Sequence, residues 1–239
     1  MPKWFTLDGV SCEDVGIYVM EYPPLVIPQR RGKKTAVPGA ENLYIYDGAW
    51  GYEDMMLPLK IYLDMNAGID AVAAFLLPDE REIVFGDQPG YVLYGRCEEQ
   101  TDLDRIMRAR APRVATINFI CRPFKALQSP GAGLEFTASG SIYHPGTARS
   151  APLITVEGAG EGSITIGNGD AFLIYGMEAG KPLVIDSGAM ICTDPEGKED
   201  LSSRTEGDYP LLFPGDNAIR FSGGITKLTI KPRLRWLGR

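Results

Sequence analysis

Residues 163–175 contain two apolar segments joined by a turn sequence: Ser163-Ile164-Thr165-Ile166-Gly167-Asn168-Gly169-Asp170-Ala171-Phe172-Leu173-Ile174-Tyr175. Asn168-Gly169 favours the tight turn of a β-hairpin, because both residue types accept positive φ angles. Similar turn sequences, Ser187-Gly188 and Ser222-Gly223-Gly224, separate later pairs of apolar segments. The second half of the chain is therefore predicted to be an all-β sandwich or jelly roll built from short strands.

Working outward from this region, the composition changes near Ser129. Of the 28 glycines, 18 lie in the last 111 residues, and the change begins at Gln128-Ser129-Pro130-Gly131. A chain of 239 residues that is 44% hydrophobic can supply two modest cores, since single domains cluster at about 100 to 150 residues. We predict an N-terminal domain at residues 1–128 and a C-terminal β-sandwich domain at residues 129–239.

The N-terminal domain is predicted to be β-rich with one helix. An opening hairpin turns at Asp8-Gly9 and ends in Gly16-Ile17-Tyr18-Val19-Met20. Further strand-like segments lie at residues 42–48, 54–63, 82–85, 90–96 and 114–122. Apolar residues at 69, 72, 73, 76 and 77 follow the helical period instead, and Pro78 ends that run. A weaker pattern at 102–110 indicates at most a short helical turn.

A proline-rich stretch at residues 22–28 leads into four basic residues, which are Arg30, Arg31, Lys33 and Lys34. Prolines remove the donors that a central strand needs, and the like charges repel one another, so an extended segment is predicted. This segment is either a surface loop or an arm that reaches a neighbouring protein.

The last predicted strand has one apolar and one basic face. Leu228, Ile230, Leu234 and Trp236 share the face assigned to the core, and the basic residues opposite are Lys227, Lys231, Arg233 and Arg235. Residues 220–239 hold six basic and no acidic side chains. This face either protects a sheet edge in solvent or docks onto an acidic partner. Together with the four basic residues after the proline-rich stretch, these four are the candidate partner contacts.

The formal net charge of −7 argues against a protein that wraps nucleic acid, because phosphate binding requires a clustered cationic surface. An acidic wall can still face DNA without binding it. The start of the sequence has no apolar run typical of a signal peptide, and no segment approaches the roughly 20 apolar residues of a membrane span. We therefore expect synthesis and folding in the cytoplasm, without membrane contact.

The sequence gives little support for catalysis or metal binding. His144 is the only histidine, which excludes histidine-rich metal sites, and Tyr143-His144-Pro145-Gly146 is typical of a surface turn. Residues 158–162 are glycine-rich but precede a strand, so a hairpin turn is predicted there instead of a phosphate loop. The acidic stretch 194–200 lacks the spacing of an EF-hand. The four scattered cysteines are expected to be reduced and buried. No cofactor and no enzymatic activity are predicted.

Several stretches taken together resemble the distal tail proteins (Dit) of phages with long non-contractile tails. In the first half, Phe5-Thr6-Leu7-Asp8-Gly9-Val10 resembles the opening hairpin of that family, and Asn118-Phe119-Ile120-Cys121-Arg122-Pro123-Phe124 resembles the close of its N-terminal domain. Further matching stretches are residues 34–39, 74–76, 91–96, 176–186, 207–210, 214–217 and 227–233. Each motif consists of turn-forming residues next to a strand-like segment, so no single motif is specific to the family. The resemblance therefore rests on the order and spacing of the motifs over about 230 residues. One departure is Phe124, where the family usually has tyrosine.

The resemblance implies a structural subunit of the phage tail tip, made and assembled in the host bacterial cytoplasm. It implies that the N-terminal domain forms a ring, hexameric in the family, through which DNA passes without specific binding, and that the C-terminal sandwich is galectin-like. The implied partners are further copies of the chain, the tail-tube protein, the tail-tip hub or tail-associated lysin, and in some relatives a receptor-binding protein.

Two other functions remain open at this point. A galectin-like domain can present a carbohydrate-binding groove for adhesion, but such grooves usually carry an aromatic platform, and Trp236, the sole tryptophan of the second domain, is predicted in the core. A tail-associated hydrolase is disfavoured, because no catalytic motif accompanies the single histidine.

Overall fold

The computed structural model describes residues 4–32, 34–36, 44–46, 51–64, 67–77, 79–97 and 113–239. The chain forms two compact units, one of Met1–Gln128 with Leu237–Arg239 and the other of Ser129–Trp236. The fold is mainly β with a single α-helix among the described residues, which confirms the predicted fold class. Leu237–Arg239 lie with the first unit, and their contacts are described below.

The first unit holds nine described strands and the helix. They are β1 (Phe5–Leu7), β2 (Val10–Ser11), β3 (Ile17–Glu21), β4 (Lys34–Ala36), β5 (Tyr44–Tyr46), β6 (Met55–Leu63), α1 (Ile69–Phe75), β7 (Arg81–Phe85), β8 (Tyr91–Cys97) and β9 (Arg113–Leu127). Seven of the strands follow one another in an antiparallel sheet in the order β2-β1-β7-β8-β9-β6-β3, while β4 and β5 pair separately.

The core of the first unit lies against one face of this sheet. Every second residue of β6 is buried, as expected for a strand with one face in the core. Helix α1 adds Val72 and Phe75 to the same core. The ring of Phe5 lies 5.8 to 6.3 Å from the rings of Phe75, Phe85 and Phe119, so one aromatic side chain joins the helix to three strands.

The opening turn was predicted correctly, but its second strand was not. Asp8 and Gly9 have φ angles of 48° and 81°, and β1 pairs across this turn with the two residues of β2. The chain then makes a 3₁₀ turn at Cys12–Val15, and Gly16, with a φ of 77°, redirects it. As a result, β3 pairs with β6 and not with β1.

The second unit contains strands β10 to β18. They are β10 (Leu134–Phe136), β11 (Gly140–His144), β12 (Leu153–Ile166), β13 (Phe172–Met177), β14 (Leu183–Asp186), β15 (Ile191–Thr193), β16 (Thr205–Glu206), β17 (Gly215–Lys231) and β18 (Arg235–Leu237), whose last residue belongs to the first unit. The predicted hairpins at Asn168-Gly169 and Ser187-Gly188 join β12 to β13 and β14 to β15.

Two long strands organise the second unit. β12 and β17 pair with each other along most of their length. Their first and second halves have different outer neighbours: β14 pairs with the start of β12 and β13 with its end, while β11 pairs with the start of β17 and β10 with its end. A single apolar cluster lies between the strands, with Ile154, Ile164, Leu228 and Ile230 fully buried. Bent long strands of this kind build a sandwich-type fold from one continuous sheet.

The glycines predicted to form turns at 158–162 and 222–224 lie instead in the middle of β12 and β17, where the pairing register shifts. The two backbones approach so closely there that a Cβ on Gly158 would collide with the carbonyl of Gly224, and one on Gly224 with the carbonyl of Ala159. The prediction of two turns was wrong because glycine marks both turns and close backbone approaches.

Substitution of Gly224 by alanine should therefore lower the free energy of unfolding by at least about 2 kcal/mol, because the two strands must separate to admit the methyl group. Urea unfolding of the purified protein measures the change. Gly131→Ala is the matched control, since no atom lies within 4 Å of its added Cβ. Equal stability of the two variants would contradict the proposed close approach.

Candidate interaction surfaces

The predicted extended segment is an ordered arm that lies on the first unit. Residues 22–32, called the proline arm below, form no regular strand, apart from a single bridge between Arg30 and Tyr52. Glu53 N–H donates to the carbonyl of Gln29 at 2.8 Å, and Arg31 N–H donates to Gly51 at 2.9 Å. The arm therefore follows a fixed path although its prolines cannot take part in a ladder.

The start of the proline arm is held by Arg239. Its backbone N–H donates to the carbonyl of Val26 at 3.1 Å, and its Nη1 donates to the carbonyl of Pro23 at 2.6 Å. Its Nη2 lies 2.8 Å from both carboxylate oxygens of Asp87, and the guanidinium carbon lies 4.5 Å from the centre of the Phe85 ring. We call this set of contacts the Arg239 clasp. It explains why residues 237–239 belong to the first unit.

Replacement of Asp87 by asparagine should destabilise the protein, because the buried guanidinium of Arg239 loses its counter-charge. We expect about 2 kcal/mol, less than the roughly 3 to 5 kcal/mol of a fully buried pair, since the Asp87 side chain is 32% exposed. The measurement is the urea-unfolding midpoint. Asp208→Asn makes the same chemical change at an exposed carboxylate and should leave the midpoint unchanged. Equal urea-unfolding midpoints for Asp87→Asn and Asp208→Asn would show that the Arg239 clasp does not stabilise the protein.

The four basic residues near the proline arm differ in their surroundings. Arg30 is exposed, and the exposed Arg31 lies 3.7 Å from Glu53 and 3.9 Å from Asp54. Lys34 begins β4, where it pairs with Tyr46, and Lys33 lies outside the described residues. The two ion pairs of Arg31 are long and exposed to solvent, so they contribute little to the stability of the folded chain. The exposed Arg30 and Arg31 are thus available for a partner, and the role of all four residues as partner contacts stays a prediction.

The basic residues near the end of the chain do not form one free basic face. Lys227 lies 2.8 Å from Glu135 and 3.7 Å from Glu157, and the hydrogen bond that Lys227 donates to Glu135 raises the pKa of the lysine. Arg233 binds both oxygens of Asp186, at 2.7 and 3.0 Å. Lys231 is exposed and Arg235 is half-buried. Their role as partner contacts stays a prediction, with part of the charge already neutralised inside the chain.

The predicted final strand is also interrupted. β17 ends at Lys231, and Arg233 has a φ of 48°, so the alternation does not continue from 227 to 236. Leu228 and Ile230 are fully buried as predicted, whereas Trp236 is only half-buried in β18. Pro232 cannot donate to a ladder, and this gives the break a physical cause.

His144 is buried, and the interpretation as a surface turn was wrong. Its side chain is 1% exposed at the end of β11. Gly146 N–H donates to Nδ1 at 2.9 Å, so the proton of the neutral ring lies on Nε2, which is 3.1 Å from Ser150 Oγ. The Ser150 hydroxyl then donates to the carbonyl of Pro232 at 2.7 Å. Burial lowers the pKa of His144, and the chain of hydrogen bonds holds the ring neutral.

Acidification should destabilise the second unit through His144. Its pKa is lowered in the folded state, so below the unfolded value of about 6.5 the unfolded chain binds a proton that the folded chain does not. Stability is complete above this pH and falls as the pH decreases through it. Urea unfolding at about pH 7.5 and about pH 5.5 should show the loss. His144→Asn, which keeps an acceptor for Gly146, should show a smaller loss over this range, and an equal loss would contradict the assignment.

The other chemically reactive groups are enclosed or paired. All four cysteines are buried, as predicted, and burial raises the pKa of Cys12 and Cys192 to about 11 and that of Cys121 to about 12. In the acidic stretch 194–200, Asp194 Oδ1 accepts from the backbone N–H groups of Lys198 and Glu199. Among the described residues, no group of three potential ligands is placed to hold a metal ion.

A shallow cleft of about 240 Å³ opens beside the bent strands of the second unit. It is lined mainly by glycine and alanine, together with Glu157, Lys181, Pro182 and Thr226. The aromatic platform expected of a glycan groove does not belong to this lining. Exposed aromatic side chains occur elsewhere in the unit, at Tyr143, Tyr175 and Phe213. Tyr143 lies in the stretch predicted as a surface turn, whereas nothing in the local sequence pattern marks Phe213 as exposed.

In the described part of the chain, no helix has the length and apolar character needed to cross a membrane.

Neither a protein-family model nor a curated protein matches this sequence. Among solved structures, a match exists to the crystal structure of the SPP1 Dit (gp 19.1) protein, presented as a paradigm of the hub adsorption apparatus in Gram-positive infecting phages. The match has a TM-score of 0.74 and covers 98% of this chain and 99% of that chain. The chain has the fold of SPP1 Dit. At 16% sequence identity, this likeness confirms the predicted resemblance at the level of the fold.

The likeness to SPP1 Dit spans both units, and the stretches that carried the sequence resemblance lie on defined parts of the fold. Residues 5–10 form β1 and the opening turn, and residues 118–124 lie within β9. Residues 37–39 lie outside the described residues, as does the helical turn predicted at 102–110. The Arg239 clasp had no signal in the sequence, because its two charged residues are 152 positions apart.

Proposed function

We propose that this protein is a structural subunit at the tip of a long non-contractile phage tail. The observation that carries the proposal is the likeness to SPP1 Dit over nearly the full length of both chains. If only one unit were similar, the likeness could be explained by a common β-sandwich fold that also occurs in proteins of unrelated function. A match to both units in sequence order supports a shared role in the tail tip.

Within this role, we assign the ring to the residues 1–128 and the adaptor function to residues 129–239. The ring is hexameric and joins the tail tube to the tail-tip hub or tail-associated lysin, and a receptor-binding protein attaches in some cases. The basic residues named above are the candidate contacts with these partners. The Arg239 clasp supports a modified division, in which residues 237–239 complete the ring-forming unit.

The acidic character of the chain suits a ring through which DNA passes. A formal charge of −7 on each copy makes a lumen repel phosphate instead of binding it, so DNA slides without being held. Like charges must then be kept apart or placed against basic partner surfaces as the ring assembles.

The chemistry of the described residues supports a function without catalysis. The single histidine is buried with both ring nitrogens engaged. The thiols of Cys12, Cys121 and Cys192 are buried and have raised pKa values, which makes them poor nucleophiles. The protein is proposed to act through its surfaces, in the virion tail tip after assembly in the host cytoplasm.

Two measurements test this role. Light scattering of the purified chain should show a particle of six times the chain mass of 26.1 kDa, formed alone or on addition of the tail-tube protein. Gold-labelled antibody against the chain should mark one end of assembled tails in electron micrographs. Label along the whole tail, or peptidoglycan release by the purified protein, would contradict the proposal.

A further inference from the structure

The proline arm displays two aliphatic side chains that the first unit leaves uncovered. Leu25 is 72% exposed and Ile27 is 81% exposed, the largest values among the exposed large hydrophobic residues of the described chain. They alternate with Val26, which packs against the core of the first unit. The extended backbone thus points one residue inward and its two neighbours outward.

These side chains are fixed in their exposed positions. Arg239 holds the carbonyls of Pro23 and Val26, and the pairing with residues 51–53 holds the other end of the arm. Pro23 and Pro28 are buried beside them, and their rings limit the backbone further. A mobile loop can fold its apolar side chains back onto the surface, but this arm is held in a way that prevents it.

The charge of the arm favours a copy of the same chain as the partner. The proline arm contains two basic residues, Arg30 and Arg31, and no acidic residue, and the chain as a whole has a net charge of −7, which leaves −9 on the remaining residues. The arm of one copy is therefore attracted to the acidic body of another. An anionic membrane surface also attracts basic and apolar segments, but it repels the acidic body that carries this arm.

We propose that the proline arm is a self-association element, in which Leu25 and Ile27 of one copy are buried against a second copy and Arg30 lies near its acidic surface. The proposal rests on the ring-forming role assigned to the first unit and names the segment that makes the contact. The contact is heterologous, since an arm meets a different surface of the next copy, and heterologous contacts are those that close into rings. The Arg239 clasp positions the arm for this contact.

The test compares the self-association of full-length variants by light scattering over a range of concentrations. Leu25→Ser/Ile27→Ser should weaken association about a hundredfold, the effect of leaving two aliphatic side chains unburied. Its thermal midpoint should equal that of the wild type, because both side chains are exposed in the single chain. Val10→Ser is the matched control, a residue of the same unit that is 49% exposed, and should associate like the wild type.

A second variant tests the clasp separately. Arg239→Gln removes the donor to Pro23 and the partner of Asp87, so it should lower the thermal midpoint and also weaken association, although every side chain of the arm remains. A photo-crosslinking residue at position 27 should give covalent dimers between copies. The crosslinked peptides then identify the surface that receives the arm.

The possible outcomes separate this proposal from the role in the tail. Oligomers that persist unchanged in Leu25→Ser/Ile27→Ser overturn the arm contact and leave the ring in place. A wild-type chain that stays monomeric at all soluble concentrations also overturns it, because the arm is already in position in the single chain. Co-sedimentation with anionic lipid vesicles is measured for the same variants, and a wild-type binding that Leu25→Ser/Ile27→Ser loses without a change in self-association assigns the arm to membranes instead. If the chain forms oligomers that depend on the arm but is not found at tail tips, the arm contact is supported and the proposed function is contradicted.

Discussion

The buried guanidinium of Arg239 sets the positions of two parts of the first unit that are distant in sequence, the proline arm and the end of β7 with the turn that follows it. It binds Asp87 in the turn between β7 and β8, the carbonyl of Pro23 in the proline arm, and the face of the Phe85 ring. An enclosed guanidinium must be satisfied inside the protein, because desolvation of an ion costs several kcal/mol. Its Nε has no partner among the described residues, so the remaining contacts carry this requirement. An ion pair, in place of strand pairing, therefore fixes the path of a segment whose prolines cannot join a sheet.

The second unit depends on a different constraint, the close approach of two backbones. Only glycine fits where Gly158 and Gly224 meet the neighbouring carbonyls, and the register of β12 and β17 shifts at this point. Because both strands bend there, the two halves of each strand pair with different outer neighbours, and the single sheet encloses an apolar core. Around its apolar core, the first unit thus uses long-range contacts of charged and aromatic side chains to fix the path of the chain, whereas the second unit bends two long strands around its core.

Sequence reasoning found the features that depend on local periodicity and missed those that depend on distant partners. Helix α1 and the alternation of β6 follow from apolar spacing, and the Asn168-Gly169 hairpin follows from turn chemistry. Gly223-Gly224 was assigned to a turn because a pair of glycines is typical of turns. The same pair also occurs where a strand bends, and only the position of the partner strand β12 distinguishes the two cases. His144 was assigned to the surface because its neighbours are turn residues, while its burial comes from Ser150 and Pro232. The basic residues were identified, but the carboxylates beside Lys227 and Arg233 were not.

Positive charge alone does not identify an interaction surface in this protein. Lys227 and Arg233 already have carboxylate partners within the second unit, so binding another protein would require exchange of one ion pair for another, with little net gain. The proline arm differs because its most exposed groups are aliphatic and its backbone is already ordered by the Arg239 clasp. A partner that covers Leu25 and Ile27 gains the full benefit of removing apolar surface from water, and the arm loses little conformational entropy on binding. The proline arm thus differs from the basic residues of the second unit in two properties that favour a protein contact, which are its exposed aliphatic side chains and its ordered backbone.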